Sequence, residues 1–352
     1  MRMTSVPDNY RMPAEWERHS RTFIAWPVRR SMCEPEDYSR VCSGYAQFIH
    51  AIAEFEPVTV LVNREDELSV SGRFSERNMQ IIVINHDDSW FRDNGPTFIL
   101  NGDNQLAGIN WRFNAWGEKY RPYDQDDEAA AALLAHAAIP CFDAPLVLEG
   151  GSIHVDGTGC LMTTEQCLLN SNRNPDLTRE RISSLLKAYL GIQQIIWLKQ
   201  GLSGDETDGH IDNIACFYAP GKVLIQVCDD PDDENYRITK ENLAILEQAV
   251  DALGNRIEIV RVQQPPARYH HGKRLTLSYL NFYLVNGGVI LPVFGGDAAA
   301  TDQAAIATLR KAFPERRIRT VDGMAIVTEG GNVHCATQQM PAGKEEEANC
   351  VK

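Results

Sequence analysis

A chain of 352 residues with 43% hydrophobic residues is long enough to bury a large apolar core, so it needs no disulfide support. The formal net charge of −14 disfavours nucleic acid as a partner, because phosphate binding needs clustered lysine and arginine, and it favours a small cationic ligand. The mean hydropathy of −0.31 and the short apolar runs exclude a membrane partner and predict a cytoplasmic protein.

The nine cysteines are odd in number, scattered and without a CxxC pair, which argues against a disulfide framework and a structural zinc site. Five are predicted to be buried thiols, namely Cys42, Cys160, Cys167, Cys216 and Cys228. Three are predicted to lie in loops or in the tail, namely Cys33, Cys141 and Cys350. The ninth, Cys335, follows a glycine-rich bend and is treated below.

Strand pairs alternate with helices along the chain. Hairpins with a glycine turn are predicted at Phe98–Gly102, Ile153–Gly157, Phe217–Gly221 and Tyr283–Gly287. Helices are predicted between or after them at Glu128–Ala138, Leu177–Tyr189, Thr239–Leu253 and Asp302–Phe313. The turns recur at roughly 55 to 66 residues, which predicts tandem or radial repetition of one α/β unit. No linker composition divides the chain, so a single domain over residues 1–352 is expected, with a flexible tail from about residue 341.

The first candidate binding segment is Trp90-Phe91-Arg92-Asp93, which follows the apolar run Ile81–Ile84. Loops at strand ends commonly carry function. An aromatic ring beside a carboxylate suits a flat cation, which stacks on the ring while its N–H groups meet the carboxylate oxygens. Trp90 and Asp93 are therefore candidate substrate-binding residues. The alternative is a structural ion pair between Arg92 and Asp93.

A short phrase occurs twice, as Glu-Gly-Gly-Ser-Ile-His at 149–154 and as Glu-Gly-Gly-Asn-Val-His at 329–334. The repetition predicts that equivalent strand ends of two units face one place. Glu149 is a candidate to orient a histidine or to bind a cation, whereas Glu329 is expected to be structural. The alternative is a shared turn with no ligand.

His210 and Asp212 stand two residues apart, so on a strand their side chains would project from the same face. The preceding loop adds three carboxylates as candidate cation-binding residues, namely Asp205, Glu206 and Asp208. The alternatives are a solvated acidic turn for the loop and a core histidine for His210.

Cys335 follows Gly330, Gly331 and His334, where backbone N–H groups and an imidazole can favour a thiolate nucleophile. A zinc hydrolase built from His154, His210, Asp212 and Cys335 is chemically conceivable, but these spacings match no zinc pattern, so no metal is predicted. The chain has no P-loop and no GxGxxG motif, and no organic cofactor is predicted.

Seven blocks of the chain together resemble the agmatine deiminase and bacterial peptidylarginine deiminase family. They fall in the family order at Met12–Trp16, Trp90–Thr97, Phe113–Gly117, Leu148–Gly157, Asn172–Pro175, Gly209–Asn213 and Asn332–Gln339. The resemblance implies a five-bladed pseudo-symmetric α/β propeller, a pentein, built of repeated ββαβ-type units. It also implies a homodimer or a higher homo-oligomer.

The resemblance further implies a role for each candidate residue. Cys335 would be the nucleophile on a guanidinium carbon, His210 the general acid and base, and Glu149 the partner that orients His210. Asp93 and Asp212 would grip the guanidinium nitrogens. The covalent intermediate would be an S-alkylthiouronium, with no metal or organic cofactor.

The implied reaction is hydrolysis of agmatine to N-carbamoylputrescine and ammonia, a step of putrescine and polyamine biosynthesis. The alternatives are deimination of peptidylarginine, free arginine or another guanidine, transfer of the amidino group to an amine, and cation binding without turnover. Two departures from the family concern the far end of the substrate, because the acidic loop is one residue shorter and Glu329 stands where a glycine is common.

Overall fold

The computed structural model describes residues 2–31, 37–74 and 78–344. Its strands are β1 (Arg2–Met3), β2 (Tyr10–Arg11), β3 (His19–Ala25), β4 (Val58–Val62), β5 (Met79–Val83), β6 (Thr97–Asn101), β7 (Leu106–Arg112), β8 (Cys141–Val147), β9 (Ile153–Val155), β10 (Cys160–Thr164), β11 (Gln194–Leu198), β12 (Ala215–Ala219), β13 (Lys222–Val227), β14 (Glu258–Gln263), β15 (Tyr269–His270), β16 (Lys273–Arg274), β17 (Tyr283–Val285), β18 (Gly288–Val293), β19 (Arg317–Asp322) and β20 (Thr337–Pro341).

The helices in the same ranges are α1 (Tyr38–Ala53), α2 (Glu67–Ser71), α3 (Phe91–Asn94), α4 (Ala115–Glu118), α5 (Asp124–His136), α6 (Glu165–Leu168), α7 (Arg179–Leu190), α8 (Asn235–Gln248), α9 (Ala299–Ala312), α10 (Met324–Val327) and α11 (Val333–Ala336). Single turns of 3-10 helix span Arg29–Ser31, Gly150–Ser152, Ile211–Asn213 and Gly296–Ala298. The protein is thus a mixed α/β fold with several separate sheets.

One unit recurs through these sheets: an antiparallel hairpin, then a helix, then a strand parallel to the second strand of the hairpin. It is formed by β6–β7, α5 and β8, by β9–β10, α7 and β11, by β12–β13, α8 and β14, and by β17–β18, α9 and β19. All four predicted hairpins are present. Gly157, Gly221 and Gly287 have positive φ at their turns, where glycine bears no steric penalty.

A further unit joins the two ends of the described chain. β20 pairs antiparallel with β3, and β3 leads through α1 to β4, which lies parallel to it. Pro341 ends β20, and the amides of Ala342 and Lys344 donate to the carbonyls of Arg18 and Asn104, so the prediction of a flexible tail from about residue 341 is wrong for residues 341–344. Residues 345–352 lie outside the described ranges.

The four predicted helices are confirmed, with shifted bounds. Helix α7 begins where the Thr178 hydroxyl accepts from the Arg181 amide and ends at Gly191, whose left-handed φ of 67° terminates the helix. Helix α8 ends at Gln248, before the predicted Leu253, because Ala249 is already extended. The residues between Gln248 and Leu253, which were predicted to continue the helix, instead belong to the connection that follows it.

The core lies between the helices and the sheets, and one helix can pack against two sheets. Ile182, Leu186 and Leu190 of α7 pack with Ile109 of β7 and Leu161 of β10, and all five side chains are buried. Burial of side chains of this size contributes about 1.5–3 kcal/mol each. These packed layers hold the strand ends, and with them the connecting turns, in fixed positions.

Seven described cysteines are free thiols, and all seven are buried. Cys141 is one of them: the prediction that it lies in a loop was wrong, because it begins β8 under the side chains of Leu133 and Leu134. Cys33 and Cys350 lie outside the described ranges. Within those ranges the helices are too short or too polar to span a lipid bilayer.

Candidate active site

Cys335 lies in the one-turn helix α11, directly before β20. Asn332 caps this helix by accepting from the Val333 amide through its side chain. The Cys335 thiol is 4% exposed, accepts from Asn281 Nδ2 at 3.1 Å and donates to Asp212 Oδ2 at 3.3 Å. The candidate nucleophile is therefore held between an amide and a carboxylate.

His210 and Asp212 do not lie on a strand, so that prediction was wrong. His210 precedes the single 3-10 turn Ile211–Asn213, and Asp212 lies within it. The preceding Gly209 has a φ of 93°, which breaks any extended run before the turn. Both side chains nevertheless reach the same place as Cys335.

The side chains of His210 and Asp212 meet beside Gly151. A β-carbon at Gly151 would lie 2.7 Å from His210 Nδ1, 2.8 Å from Asp93 Oδ1 and 3.0 Å from Asp212 Oδ2. Real β-carbons do not approach other atoms so closely, so this position requires glycine. Two carboxylates and one imidazole thus surround a small space above a bare backbone.

Asp93 lies in the one-turn helix α3 and accepts from Trp116 Nε1 and from the Gly151 amide, each at 2.9 Å. The structural ion pair between Arg92 and Asp93 is not formed. Arg92 instead faces Glu15, with 3.4 Å between Nη1 and Oε1, and donates from Nε to the His334 carbonyl at 3.3 Å. These two hydrogen bonds to Asp93 come from neutral donors, so they do not neutralise its carboxylate, which faces the space beside Gly151.

Glu149 faces His210, with 3.7 Å between Oε2 and Nε2. Its other oxygen accepts from Arg173 Nε at 2.6 Å, and both of these side chains are fully buried. Asp93 lies on the opposite side of the imidazole, with 3.7 Å between Oδ2 and Nδ1. Neither ring nitrogen of His210 has a hydrogen-bond partner among the described residues, so both remain available for proton transfer.

A cleft of about 540 Å³ leads from solvent to Cys335. Trp90, Trp116 and Tyr120 form aromatic parts of its lining, and Asp93 lines it beside the thiol. Gly331 makes the cleft possible, because a β-carbon there would lie 2.7 Å from the Trp90 ring and 3.1 Å from Cys335 Sγ.

The cleft lining also includes three further acidic residues, Asp88, Glu206 and Glu329. Glu206 and Glu329 line a second cavity as well, so they lie where the two spaces meet. The Glu206 carboxylate accepts from the Tyr120 hydroxyl and from Lys273 Nζ. One end of the cleft therefore suits a guanidinium, and the other end suits an ammonium group.

The three predicted acids of the loop at 204–209 have different surroundings. Only Glu206 lines the cleft. Asp205 accepts from the His210 amide and from Thr207, so it braces the loop. Asp208 pairs with Lys119 at 2.8 Å and with Arg173 at 2.9 Å, which leaves it engaged outside the cleft lining.

Burial and charge set the protonation of the thiol and the imidazole. Burial, with the nearby carboxylates of Asp212 and Asp93, raises the pKa of Cys335 well above its usual value. Burial alone would lower the pKa of His210, but the carboxylates of Asp93 and Glu149 and the nearby Cys167 thiol outweigh it and raise that pKa well above its usual range. These shifts favour a neutral thiol at Cys335 and an imidazolium at His210.

The carboxylates differ from one another. Burial raises the pKa of Asp93 to about 6, with His210 opposing and Asp212 assisting the shift. For Glu149 and Asp212 burial also acts upward, but Arg173 and His210 lower the pKa of Glu149, and His334 lowers that of Asp212. Burial raises the pKa of Asp88 to about 7, and the charge of Glu329 adds to that rise.

Five cleft or site residues escaped the sequence-based prediction: Asp88, Trp116, Tyr120, Asn281 and Glu329. Glu329 did carry a signal, because it occupies the same place in its phrase as Glu149. Trp116 and Asn281 reach the site through contacts between distant segments, for which the sequence offers no local pattern.

Two groups of buried side chains in the described ranges place possible metal ligands within 4.8 Å of one another: Glu15, His154 and His334, and Glu149, Cys167 and His210. Each group contacts a buried arginine, Arg92 beside Glu15 and Arg173 beside Glu149. A guanidinium at that distance repels a divalent cation. His154 and His210 fall into different groups, so the zinc set considered from sequence is not assembled.

The Porphyromonas-type peptidyl-arginine deiminase family matches residues 11–341. An agmatine deiminase of Stutzerimonas stutzeri is 41% identical over an alignment length of 365 residues. The alignment covers 97% of this chain and 98% of that protein. The Enterococcus faecalis agmatine deiminase superposes with a TM-score of 0.90 at 31% identity, covering 96% of this chain and 99% of that one. A Campylobacter jejuni agmatine deiminase with substrate bound gives a TM-score of 0.87 at 27% identity, with coverages of 95% and 97%.

A mixed α/β fold with a thiol, an imidazole and several carboxylates on one cleft defines an enzyme of the deiminase class. The chain belongs to the Porphyromonas-type peptidyl-arginine deiminase family, as the match over nearly its whole length shows.

Proposed function

We propose that the protein hydrolyses agmatine to N-carbamoylputrescine and ammonia. The observation that carries the proposal is the composition of the cleft, with Asp93 and Asp212 beside the Cys335 thiol and three further acidic residues in the lining. Agmatine is a flexible dication with a guanidinium at one end and an ammonium at the other. The named agmatine deiminases among the relatives and solved structures support the same substrate.

The guanidinium binds in the space above Gly151, where Asp93 and Asp212 supply acceptors on two sides. Its flat, delocalised charge also suits the faces of Trp90 and Trp116 in the cleft lining. Holding the guanidinium carbon in line with the thiol is the main contribution of these groups, and orientation of this kind is worth about 7–11 kcal/mol at best.

The ammonium group lies toward Glu206, Asp88 and Glu329. Glu206 is the acid of the loop that we propose as its partner, since Asp205 and Asp208 are engaged elsewhere.

The substrate itself activates the nucleophile. Burial and the carboxylates of Asp212 and Asp93 hold the pKa of Cys335 high, and a bound guanidinium offsets the two carboxylate charges. The thiol then loses its proton and attacks the guanidinium carbon, which gives a tetrahedral adduct. Asp212 Oδ2, already hydrogen-bonded to the thiol, is placed to take that proton.

His210 serves both halves of the reaction. As an imidazolium it protonates the departing ammonia, which leaves a covalent S-alkylthiouronium on Cys335 and a neutral imidazole. The neutral His210 then removes a proton from the attacking water. As the second adduct collapses to the urea, its hydroxyl proton passes to solvent, and the departing thiolate regains the proton held by Asp212. Glu149 and Arg173 keep the imidazole in place through both steps.

Deimination of free arginine or peptidylarginine remains the second candidate, and one residue favours it. An arginine carboxylate needs a cation, and Arg92 and Arg173 are already paired with buried glutamates. Lys273 lies at the junction of the two cavities, where Nζ is 3.2 Å from Glu206. A carboxylate there would meet Glu206 and Glu329 as well, which favours an amine over an acid.

The repeated units support a finer description of the fold. We propose that they form a five-bladed α/β propeller in one catalytic domain, with the strand-end turns converging on Cys335. The scattered free thiols support a reducing, cytoplasmic location. We also propose a homodimer or a higher homo-oligomer, which size-exclusion chromatography with light scattering would test.

The deciding experiment measures ammonia release from agmatine, arginine and a blocked arginine ester in parallel. Release from agmatine at the highest kcat/KM is the expected result, and Cys335→Ala is expected to lower the rate by roughly 10⁴-fold or more while the protein stays folded. Release only from the arginine forms would replace the proposal with the second candidate. Faster consumption when an amine acceptor is added would indicate amidino transfer, and no release at all would indicate binding without turnover.

A further inference from the structure

A buried network lies behind Asp212, on the side away from the cleft lining. His334 Nδ1 lies 3.0 Å from Asp212 Oδ2, and His334 Nε2 lies 2.8 Å from Glu15 Oε1. The side chains of all three residues are at most 5% exposed. Each ring nitrogen of His334 thus faces a carboxylate, and only a doubly protonated imidazolium donates to both.

The other polar groups around His334 fit this charge state. Arg92 is the second cation beside Glu15, and the Cys335 thiol donates to the same Asp212 oxygen as His334. His154 stacks on His334 with 6.4 Å between ring centroids. Its Nδ1 accepts from the Phe217 amide, which places its proton on Nε2, 3.6 Å from Glu15.

Two buried carboxylates and two buried cations therefore alternate in one chain: Arg92, Glu15, His334 and Asp212. Burying a carboxylate without such a partner is costly and shifts it toward its neutral form. Burial and Arg92 would lower the pKa of His334, but Glu15 and Asp212 outweigh them and raise it above its usual value. The network keeps Asp212 ionised although it is 1% exposed.

We propose that His334 is a positioning residue, which Glu15 holds so that its imidazolium fixes Asp212 Oδ2 beside the Cys335 thiol. The proposal rests on the proposed function in one respect, since it takes Asp212 to be a carboxylate that receives the flat cation. It assigns different roles to the two histidines of the repeated phrase. His334 acts on the site through Asp212, whereas His154 only braces Glu15.

The test uses two alkylating probes of the same shape, 2-chloroacetamidine and 2-chloroacetamide. Both alkylate a cysteine with loss of chloride, but only the amidine carries the flat cation that Asp93 and Asp212 would hold. The ratio of their inactivation rate constants, kinact/KI, therefore reports carboxylate alignment separately from thiol reactivity. The wild-type protein is expected to prefer the amidine.

His334→Asn and His154→Asn form a matched pair, because both residues are buried and both face Glu15. Removing the imidazolium is expected to lower the amidine preference by about tenfold to a hundredfold, the range for a hydrogen bond to a charged group. His154→Asn is expected to change it by less than about threefold. An unchanged preference in His334→Asn, or an equal loss in His154→Asn, would overturn the proposal.

Two further variants separate positioning from folding. The His334→Asn variant places an amide N–H near the Nδ1 position, so it is expected to retain more of the amidine preference than His334→Ala. The longer side chain of His334→Gln reaches only toward Glu15 and is expected to retain little more than His334→Ala. Equal losses in His334→Asn, His334→Gln and His334→Ala would indicate a purely structural role and would overturn the proposal. Nitrogen-15 NMR of the wild-type imidazole supplies an independent readout, with two protonated ring nitrogens expected and a neutral ring contradicting the proposal.

The probes also separate this inference from the proposed substrate, because neither contains agmatine. A protein that prefers the amidine and loses that preference in His334→Asn, yet releases no ammonia from agmatine, would support the positioning role and contradict the proposed function. A wild-type protein without amidine preference would contradict the role of Asp212 and overturn the inference, whatever its activity.

Discussion

The two copies of the Glu-Gly-Gly phrase occupy equivalent places in the chain and differ in what lies opposite them. Glu149 of the first copy is fully buried between Arg173 and His210. Glu329 of the second copy lines the cleft where it meets the second cavity. The same phrase thus supplies a buried neighbour for the imidazole in one place and part of the cleft lining in the other.

The second glycine of each copy also has different neighbours in the two places. Gly151 makes room beside His210, Asp93 and Asp212, and Gly331 makes room beside Trp90 and Cys335. In both places the missing side chain is the functional feature. The comparison teaches that repetition brings both phrases to the candidate site, whereas neighbours from other units determine what surrounds each phrase.

The largest expected difference between the two copies is the effect on kcat of replacing each glutamate by glutamine. Glu149→Gln removes the charge that faces His210, so kcat is expected to fall by about 10²- to 10⁴-fold, the contribution of a positioned acid–base group. It also leaves Arg173 without its buried counter-charge, which is expected to destabilise the fold by about 3–5 kcal/mol. Steady-state kinetics at low temperature, with thermal unfolding as the control, measures both effects. An unchanged kcat would contradict the role of Glu149.

Alanine at the second glycine of each copy should sharpen the comparison. Gly151→Ala and Gly331→Ala are each expected to lower kcat/KM by about a hundredfold, since small displacements of reacting groups are costly. Gly331→Ala should also slow alkylation by neutral 2-chloroacetamide, whereas Gly151→Ala should slow only the amidine. Gly72→Ala is the control, because a β-carbon there meets nothing within 4 Å. Equal effects on both probes in Gly151→Ala would contradict the assignment.

The first copy should also show a pH dependence, because the Gly151 amide donates to Asp93. The pKa of Asp93 is raised to about 6, so the carboxylate takes up a proton as pH falls through 6. With an alkylguanidine that lacks the distal amine, kcat/KM is expected to be about tenfold lower at pH 5 than on its plateau. A fall in kcat/KM with its midpoint near pH 4 would contradict the prediction.

Asp93 affects folding stability with the opposite sign. Its folded pKa exceeds the unfolded value of about 3.9, so between about pH 4 and 6 the folded state binds the extra proton. Its contribution to the free energy of unfolding therefore rises as pH falls through that window. Protein held at pH 5 is expected to lose activity while remaining folded, which thermal unfolding and a return to neutral pH would verify.

The smallest effect is expected at the second glutamate. Glu329→Gln removes one of three carboxylates near the ammonium end, so KM for agmatine is expected to rise about two- to fivefold with kcat unchanged. An alkylguanidine without the amine serves as the control substrate and should show no change. A loss of kcat comparable to that of Glu149→Gln would erase the difference between the copies.

Local pattern predicted the hairpins and helices well, because their glycine turns and apolar spacing are properties of short segments. It also gathered Asp93, Glu149, His210, Asp212 and Cys335 as one candidate site, and the structure places their side chains around Gly151 and Gly331. Their catalytic roles remain predictions.

What the sequence missed depends on contacts between distant segments. The spacing of His210 and Asp212 suggested a strand, but Gly209 turns the backbone there. Arg92 stands beside Asp93 in the chain, yet it faces Glu15, which is far away in sequence and carries no local signal. Burial likewise raises the pKa of Cys335, although the nearby glycines and His334 favoured a thiolate.

The pairing of β20 with β3 joins segments more than 300 residues apart, and Cys335 stands directly before β20. During translation the ribosome therefore completes all the other candidate catalytic residues before the candidate nucleophile. A chain interrupted before this point carries the candidate cation-binding carboxylates but not the Cys335 thiol, and one edge of β3 lacks its strand. Such an edge is a template for aggregation, so under the proposed mechanism an unfinished chain would be both inactive and prone to aggregate.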